Sequence, residues 1–378
     1  MSTFDFLNDP EKMRLLQQLE FDKQPNKKLV FVFSAPKVGS TSIVSSLRIF
    51  CSEQINVIHI HDEEMLYVLR KIRGITINEI ILYYSHIGRE VYVIDVYRSP
   101  IERKISAYFE KIGSYHFNNY DDKVNTYNLD KVIIRFNNIF PHIALGDHFM
   151  DKYELPNLPD QVDFSNKYLL IQQNGVKYIK LRLKDSALWG DILTNIFNHK
   201  IGIVKDYSSE NKPIKDIYSR FKDTYRIPIN LLDDIMKCKY LNYYYSTEEL
   251  NEYYTTWKQK SGPQFKPYSL EQYDLYNSLT LENCHIDFIQ QNHYMDEGCI
   301  CKACTIKRNE IKYKILNGLS LNESDKIYHD EAKQQLFNKR ITNAVKINKI
   351  IKNNIQNKDK GRRRDFRGDM HRVVNGIR

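Results

Sequence analysis

The stretch that most restricts the fold is Leu29 to Cys51, LVFVFSAPKVGSTSIVSSLRIFC. Leu29 to Phe33 is an unbroken apolar, β-branched and aromatic run, the signature of a strand buried on both faces. Ser34 to Gly39 interrupt it with small and turn-forming residues. From Ser40 the apolar positions fall at Ile43, Val44, Leu47, Phe50 and Cys51, which is helical spacing. The unit is therefore strand, tight loop, helix. A helix start presents unpaired N–H groups and the positive end of the macrodipole. With Lys37 and the hydroxyls of Ser40, Thr41 and Ser42 added, Pro36 to Ser42 make a candidate phosphate cradle, and Val38 and Gly39 bring backbone N–H groups to it. The order differs from G-x-x-x-x-G-K-[ST], because the lysine precedes the glycine and none follows it. A plain turn with a solvent-facing lysine is the competing reading.

Further along, hydropathy alternates between strand and helix. Strands are expected at Ile55–Ile60, Glu90–Tyr97, Lys177–Leu183 and Lys200–Val204, and helices over 8–21, 63–73, 186–197, 214–225, 229–236 and 247–260. Asn8 or Asp9 caps the first helix, with Pro10 at N1. Ser99-Pro100-Ile101-Glu102 reads as a capping box opening a helix whose apolar face is Ile101, Ile105, Tyr108, Phe109 and Ile112. Alternation of this kind implies an α/β fold: a central parallel sheet flanked by helices, with ligands beyond the carboxyl ends of the strands. The Lys37 loop, the turn His59–Glu64 (HIHDEE) and Arg98 all stand at such ends. The expected organisation is an N-terminal helix and linker (1–28), an α/β domain (29–262) and a helical extension carrying a cysteine cluster (263–345). A basic tail follows (346–378), and Ser261-Gly262-Pro263 marks a boundary.

SAPKVGSTS followed by YRSPIERKISAYF resembles the PAPS-dependent sulfotransferases, and within them the carbohydrate sulfotransferases and capsular polysaccharide synthesis proteins, over residues 29 to 260. In that family a P-K-x-G-[ST]-[ST] loop holds the 5′-phosphosulfate, while an arginine ending a later strand and a serine two helical turns on hold the 3′-phosphate. The resemblance implies these roles for Pro36, Lys37, Val38, Gly39, Ser40, Thr41 and Ser42, and for Arg98 and Ser106. It extends to the H-x-H pair closing the second strand and to LNYYYSTEELNEYYTTW (Leu241 to Trp257). The implied reaction moves a sulfuryl group from PAPS to a carbohydrate hydroxyl, with Lys37 stabilising the departing oxygen. His61 is the first choice for general base and His59 the second; they share one strand face. Glu63, Glu64 and His86 stay open as alternatives. Arg103 and Lys104 are expected to be solvated helix charges with a reach toward adenine or acceptor anions, and Arg182 is a candidate for the acceptor cleft.

His293, Cys299, Cys301 and Cys304 form a compact H-x5-C-x-C-x2-C group, a candidate structural zinc site with Cys284 and His285 as alternative fourth ligands; reduced thiols are the competing reading. The tail from 346 to 378 holds 11 Lys/Arg against 3 Asp, so almost all of the formal charge of +9 sits there. It is expected to be a solvated arm, with non-specific nucleic-acid binding as a second reading. No apolar run reaches membrane-spanning length and MSTFDFLNDPEKM lacks an apolar signal core, so a cytoplasmic location is expected. Two other readings stay open: a phosphotransferase with an atypical loop, and a non-catalytic interaction protein using the cysteine cluster and tail.

Overall fold

A computed structural model describes residues 4–277, except 20–25, 71, 111, 118–120, 156–157, 160–161, 163, 205–212 and 275, together with Leu319. The candidate zinc ligands, almost all of the extension expected beyond 277 and the basic tail lie outside these residues. The chain divides into two units, Met1–Gly113 with Asn119–Leu270, and Ser114–Asn118 with Glu271–Arg378. In the second unit, the Tyr115 hydroxyl donates to Asn277 Oδ1 at 2.5 Å, and His116 Nδ1 lies 2.9 Å from the Tyr276 hydroxyl.

The first unit is built on five strands: β1 (Lys28–Phe33), β2 (Ile55–Ile60), β3 (Val91–Tyr97), β4 (Tyr168–Gln173) and β5 (Val176–Arg182). Their order is β2-β1-β3-β5-β4. All neighbours run parallel except β4 with β5. The sheet is thus α/β as expected, but mixed. β3 is buried along its whole length, as a central strand covered on both faces must be.

Period-two alternation sorts the core into two layers. Leu29, Phe31, Phe33, Val91, Val93, Val176 and Tyr178 face one layer, with α1 (Pro10–Gln18) and α4 (Ile77–His86) over them. Val30, Val32, Tyr92, Ile94, Ile179 and Leu181 face the other, under α2 (Ser40–Phe50) and α9 (Trp189–Phe197). The remaining helices are α3 (Glu63–Arg70), α5 (Pro100–Tyr108), α6 (Asp121–Val124), α7 (Leu129–Ile139), α8 (His148–Asp151), α10 (Lys215–Thr224), α11 (Ile229–Met236), α12 (Lys239–Tyr244) and α13 (Thr247–Lys258). Asp9 caps α1 by accepting from the N–H groups of Glu11 and Lys12, with Pro10 at N1.

Several expectations are corrected. Residues 201–204 form no strand; Ile201 N–H donates to Thr194 Oγ1 (3.0 Å) and Val204 N–H to Ser46 Oγ (2.8 Å), so side chains take the place of a ladder. The fifth strand is β4, joined to β5 by Asn174-Gly175 at φ 51° and 74°. Two consecutive positive φ values make a type I′ hairpin turn, whose twist suits an antiparallel pair. α4 is a further helix beyond the expected set; Thr76 and Glu79 cap its start reciprocally. Ser261–Gly262 pairs in parallel with Ile227–Pro228 rather than standing as a bare linker.

The sheet reverses its winding at β1. The chain passes from β1 to β2 on one side, then returns across β1 to β3 on the other. In open α/β sheets the loops leaving such a pair diverge and open a crevice at the strands' carboxyl ends. Here those loops begin at Ser34 and Arg98.

Candidate active site

Ser34 to Gly39 leave β1 in a conformation set by two left-handed residues, Lys37 (φ 69°) and Gly39 (φ 93°). Glycine is needed at position 39 twice over. Its φ is one that L side chains avoid, and a Cβ there would stand 2.9 Å from Leu183 Cδ1 and 3.3 Å from Trp189 Cη2. Gly39 is also the N-cap of α2 and offers no side-chain acceptor to the first turn. The N–H groups of Val38, Gly39, Ser40 and Thr41 have no acceptor among the described residues. Four donors at the positive end of an eleven-residue helix favour an anion.

Lys37 Nζ pairs with Glu110 Oε2 at 3.1 Å. Its carbonyl accepts from Arg98 Nη1 at 3.0 Å, so the tip of β3 is tied directly to the loop after β1. Arg98 is half-buried and its Nε lacks an acceptor. Burial weakens the guanidinium's hold on its proton, against the Tyr218 hydroxyl and the Glu102 carboxylate. Ser106, further along α5, is half-buried, and its hydroxyl makes no hydrogen bond among the described residues.

The H-x-H pair joins the same edge. His59 Nε2 and Ser40 Oγ lie 3.2 Å apart, and the two histidine rings meet edge to face at 4.7 Å. His61 Nδ1 lies 2.6 Å from the Ser34 carbonyl oxygen. A carbonyl only accepts, so Nδ1 carries the proton and Nε2 of the neutral ring keeps its lone pair. Burial pushes the His61 pKa below its ordinary value; the Ser34 carbonyl, Asp62 and Glu110 oppose this and Lys37 adds to it. The imidazole is therefore neutral near pH 7, with one nitrogen oriented and the other basic. The His61 carbonyl in turn accepts from His148 Nε2 at 2.7 Å, and burial pushes His148 down to about 4.

Other expected residues stand elsewhere. His86 is exposed at the end of α4, before β3 begins, at the opposite end of the sheet. Glu63 and Glu64 are exposed on the first turn of α3; Glu63 accepts from Ile77 N–H and Glu64 pairs with Arg73. Arg103 and Lys104 are not solvated: they are 7% and 3% exposed, held by the carbonyls of Gly146, Leu145 and Ile143. Arg182 does not face a cleft. It is buried, donating to Asp185 Oδ2 (2.6 Å), Glu249 Oε2 (2.8 Å) and the Tyr244 carbonyl (2.9 Å).

Ser99 and Glu102 do not form a capping box either. Ser99 Oγ shares a hydrogen bond with the Tyr245 hydroxyl (2.8 Å), while Glu102 accepts from the Tyr253 hydroxyl (2.9 Å) and Trp257 Nε1 (3.0 Å). Both side chains are thus captured by residues 241–257, which pack against the start of α5.

Beneath the strand tips lies a buried polar cluster that no short-range pattern announces. Lys180 Nζ bonds Asp95 Oδ2 at 2.6 Å and Asp147 Oδ2, and Asp147 Oδ1 accepts from the Tyr244 hydroxyl at 2.7 Å. Among the described residues no group of three or more His, Cys, Asp or Glu is placed to hold a metal, and no helix is long and apolar enough to cross a membrane. No family model, curated protein or solved structure matches the chain.

Proposed function

We propose that the chain is a sulfotransferase that moves the sulfuryl group of PAPS to a hydroxyl of a carbohydrate acceptor. The observation that carries the reading is the Arg98–Lys37 hydrogen bond. It joins the two segments on which the sequence resemblance rests, with the H-x-H pair on the same edge.

In this reading the open N–H groups of the loop, with Lys37 and the hydroxyls of Ser40, Thr41 and Ser42, receive the 5′-phosphosulfate. Arg98 and Ser106 receive the 3′-phosphate. Arg98 offers a fixed fork of donors suited to a phosphate. An acceptor hydroxyl oxygen attacks sulfur in line, and the bond from sulfur to the bridging phosphate oxygen breaks. Negative charge grows on that oxygen, where a preorganised cation and N–H groups lower the barrier. His61 Nε2 takes the hydroxyl proton, and the Nδ1 bond to Ser34 keeps the ring in the required tautomer. His59, bonded to Ser40, positions the loop's first hydroxyl.

Thermal shift with 3′-phosphoadenosine 5′-phosphate, compared with ATP and Mg²⁺, tests the donor. A ligand at one hundred times its dissociation constant stabilises by about 2.7 kcal/mol. Stabilisation by the bisphosphate alone supports the reading. No shift with it, or an equal shift with ATP, defeats it. Mass-spectrometric detection of a sulfated glycan, lost in Lys37→Ala and His61→Ala, tests the transfer itself.

A further inference from the structure

A pocket of about 220 Å³ opens beside α5. Pro100, Arg103 and Lys104 line it, sharing one stripe of the helix at 100° per residue; Ser106 is not among its lining residues. Tyr97, Phe140, Leu231 and Ile235 give it apolar walls, with Cys238 among them.

Its charge is unusual. Arg103 is 7% exposed, and its two terminal nitrogens reach only the carbonyls of Gly146 (2.6 Å) and Leu145 (3.2 Å). Its Nε is buried with no acceptor. Lys104 is 3% exposed, and its Nζ meets the Ile143 carbonyl (2.7 Å) and the Phe140 ring. Neither side chain has a carboxylate partner among the described residues. Asp95 and Asp147, the nearest carboxylates acting on Arg103, are already bound to Lys180. Asp234, on the rim, is exposed and pairs with Lys237. Arg98 reaches the same pocket with a second unpartnered Nε. Burial, helped by Arg103, lowers the Lys104 pKa to about 7. Buried cations without counter-ions are costly, and an anion supplied from outside removes the cost.

We infer that this pocket binds a small organic monoanion with an apolar body, its anionic head between Arg103 and Lys104 and its body against Phe140, Leu231 and Ile235. The volume limits the guest to one or two rings, or a short acyl chain. The inference stands on its own observations and survives failure of the sulfotransferase reading, with which it shares only Arg98.

Isothermal titration of the full chain with 2-naphthoate and octanoate, each beside its neutral amide, is the test. One acid should bind with a stoichiometry of one, its amide at least tenfold more weakly. Lys104→Gln should weaken the acid tenfold without changing the amide. Because Arg103 also braces the 143–146 loop, Cys238→Trp serves as an independent variant; it fills the pocket and should abolish binding while leaving the thermal midpoint near the parent's. Binding should persist in saturating 3′-phosphoadenosine 5′-phosphate. Equal affinity for acid and amide, binding unaffected by Cys238→Trp, full competition with the bisphosphate, or no binding by either acid at millimolar concentration would each overturn the inference.

Discussion

Lys180→Met tests the buried cluster beneath the strand tips most sharply. The ammonium is 0% exposed and bridges Asp95 and Asp147, themselves 1% and 5% exposed. Methionine preserves much of the volume but removes the ammonium bonded to both buried carboxylates. Breaking such a pair costs about 3–5 kcal/mol. The cost must also depend on pH. Burial pushes Asp95 up to about 6 even with Lys180 pulling it down and Asp147 adding to the rise. A carboxyl whose folded pKa exceeds its unfolded value binds more protons when folded. Its contribution to stability is therefore complete at acid pH and is lost as pH rises through the folded pKa. Without Lys180 that folded pKa rises further, so the variant goes on losing stability above pH 6, where the parent has levelled off. The slope is at most about 1.4 kcal/mol per pH unit, giving up to roughly 2.7 kcal/mol of extra destabilisation between pH 6 and 8. Urea unfolding followed by tryptophan fluorescence, with Trp189 buried as reporter, measures it. A destabilisation below about 1 kcal/mol, or one unchanged between the two pH values, refutes the reasoning.

Four further outcomes follow from the geometry. Gly39→Ala should cost at least about 1–2 kcal/mol for its φ alone, and should weaken 3′-phosphoadenosine 5′-phosphate in calorimetry because Leu183 and Trp189 push the loop out of register. Arg98→Ala should weaken the same ligand by roughly tenfold to a hundredfold, the worth of a charged hydrogen bond, while His61→Ala leaves its binding intact and removes transfer. Transfer rate plotted against pH should rise to a plateau with a midpoint below the ordinary histidine value of 6.5, because burial depresses His61; a midpoint above 6.5 contradicts the neutral-base assignment. Gly175→Ala should lower thermal stability by about 1–2 kcal/mol, since φ is 74° and the new Cβ would fall 2.5 Å from Ser85 Oγ.

The site's backbone was legible because short-range signals there coincide with burial. Leu29–Phe33, Ile55–Ile60 and Val91–Tyr97 are largely apolar runs of strand length, and the candidate site residues lie at and just after their ends. Legibility failed where distant partners decide. Ser99 and Glu102 satisfy a local capping rule, yet Tyr245, Tyr253 and Trp257 outcompete it. Arg103 and Lys104 read as solvated charges because their partners are loop carbonyls some forty residues on. α4 was hidden by its burial, since Ile80 to Tyr84 show no polar face, although Thr76-x-x-Glu79 announced its start. β4 lies at an edge, half polar, and its one clear signal was the Asn174-Gly175 turn.

The hydrogen bond from Arg98 to the Lys37 carbonyl has a consequence for the order in which the protein matures. Lys37 holds a left-handed φ of 69°, which L side chains adopt at a cost, and the guanidinium that bonds its carbonyl lies sixty-one residues later. A fragment ending after β2 contains every residue of the cradle but not the bond that shapes it. The loop therefore acquires its form only once β3 has docked beside β1. Contacts so distant in sequence form late and are slow to close, so the candidate cradle should be among the last local shapes to settle, and any anion affinity during refolding should lag behind the recovery of secondary structure.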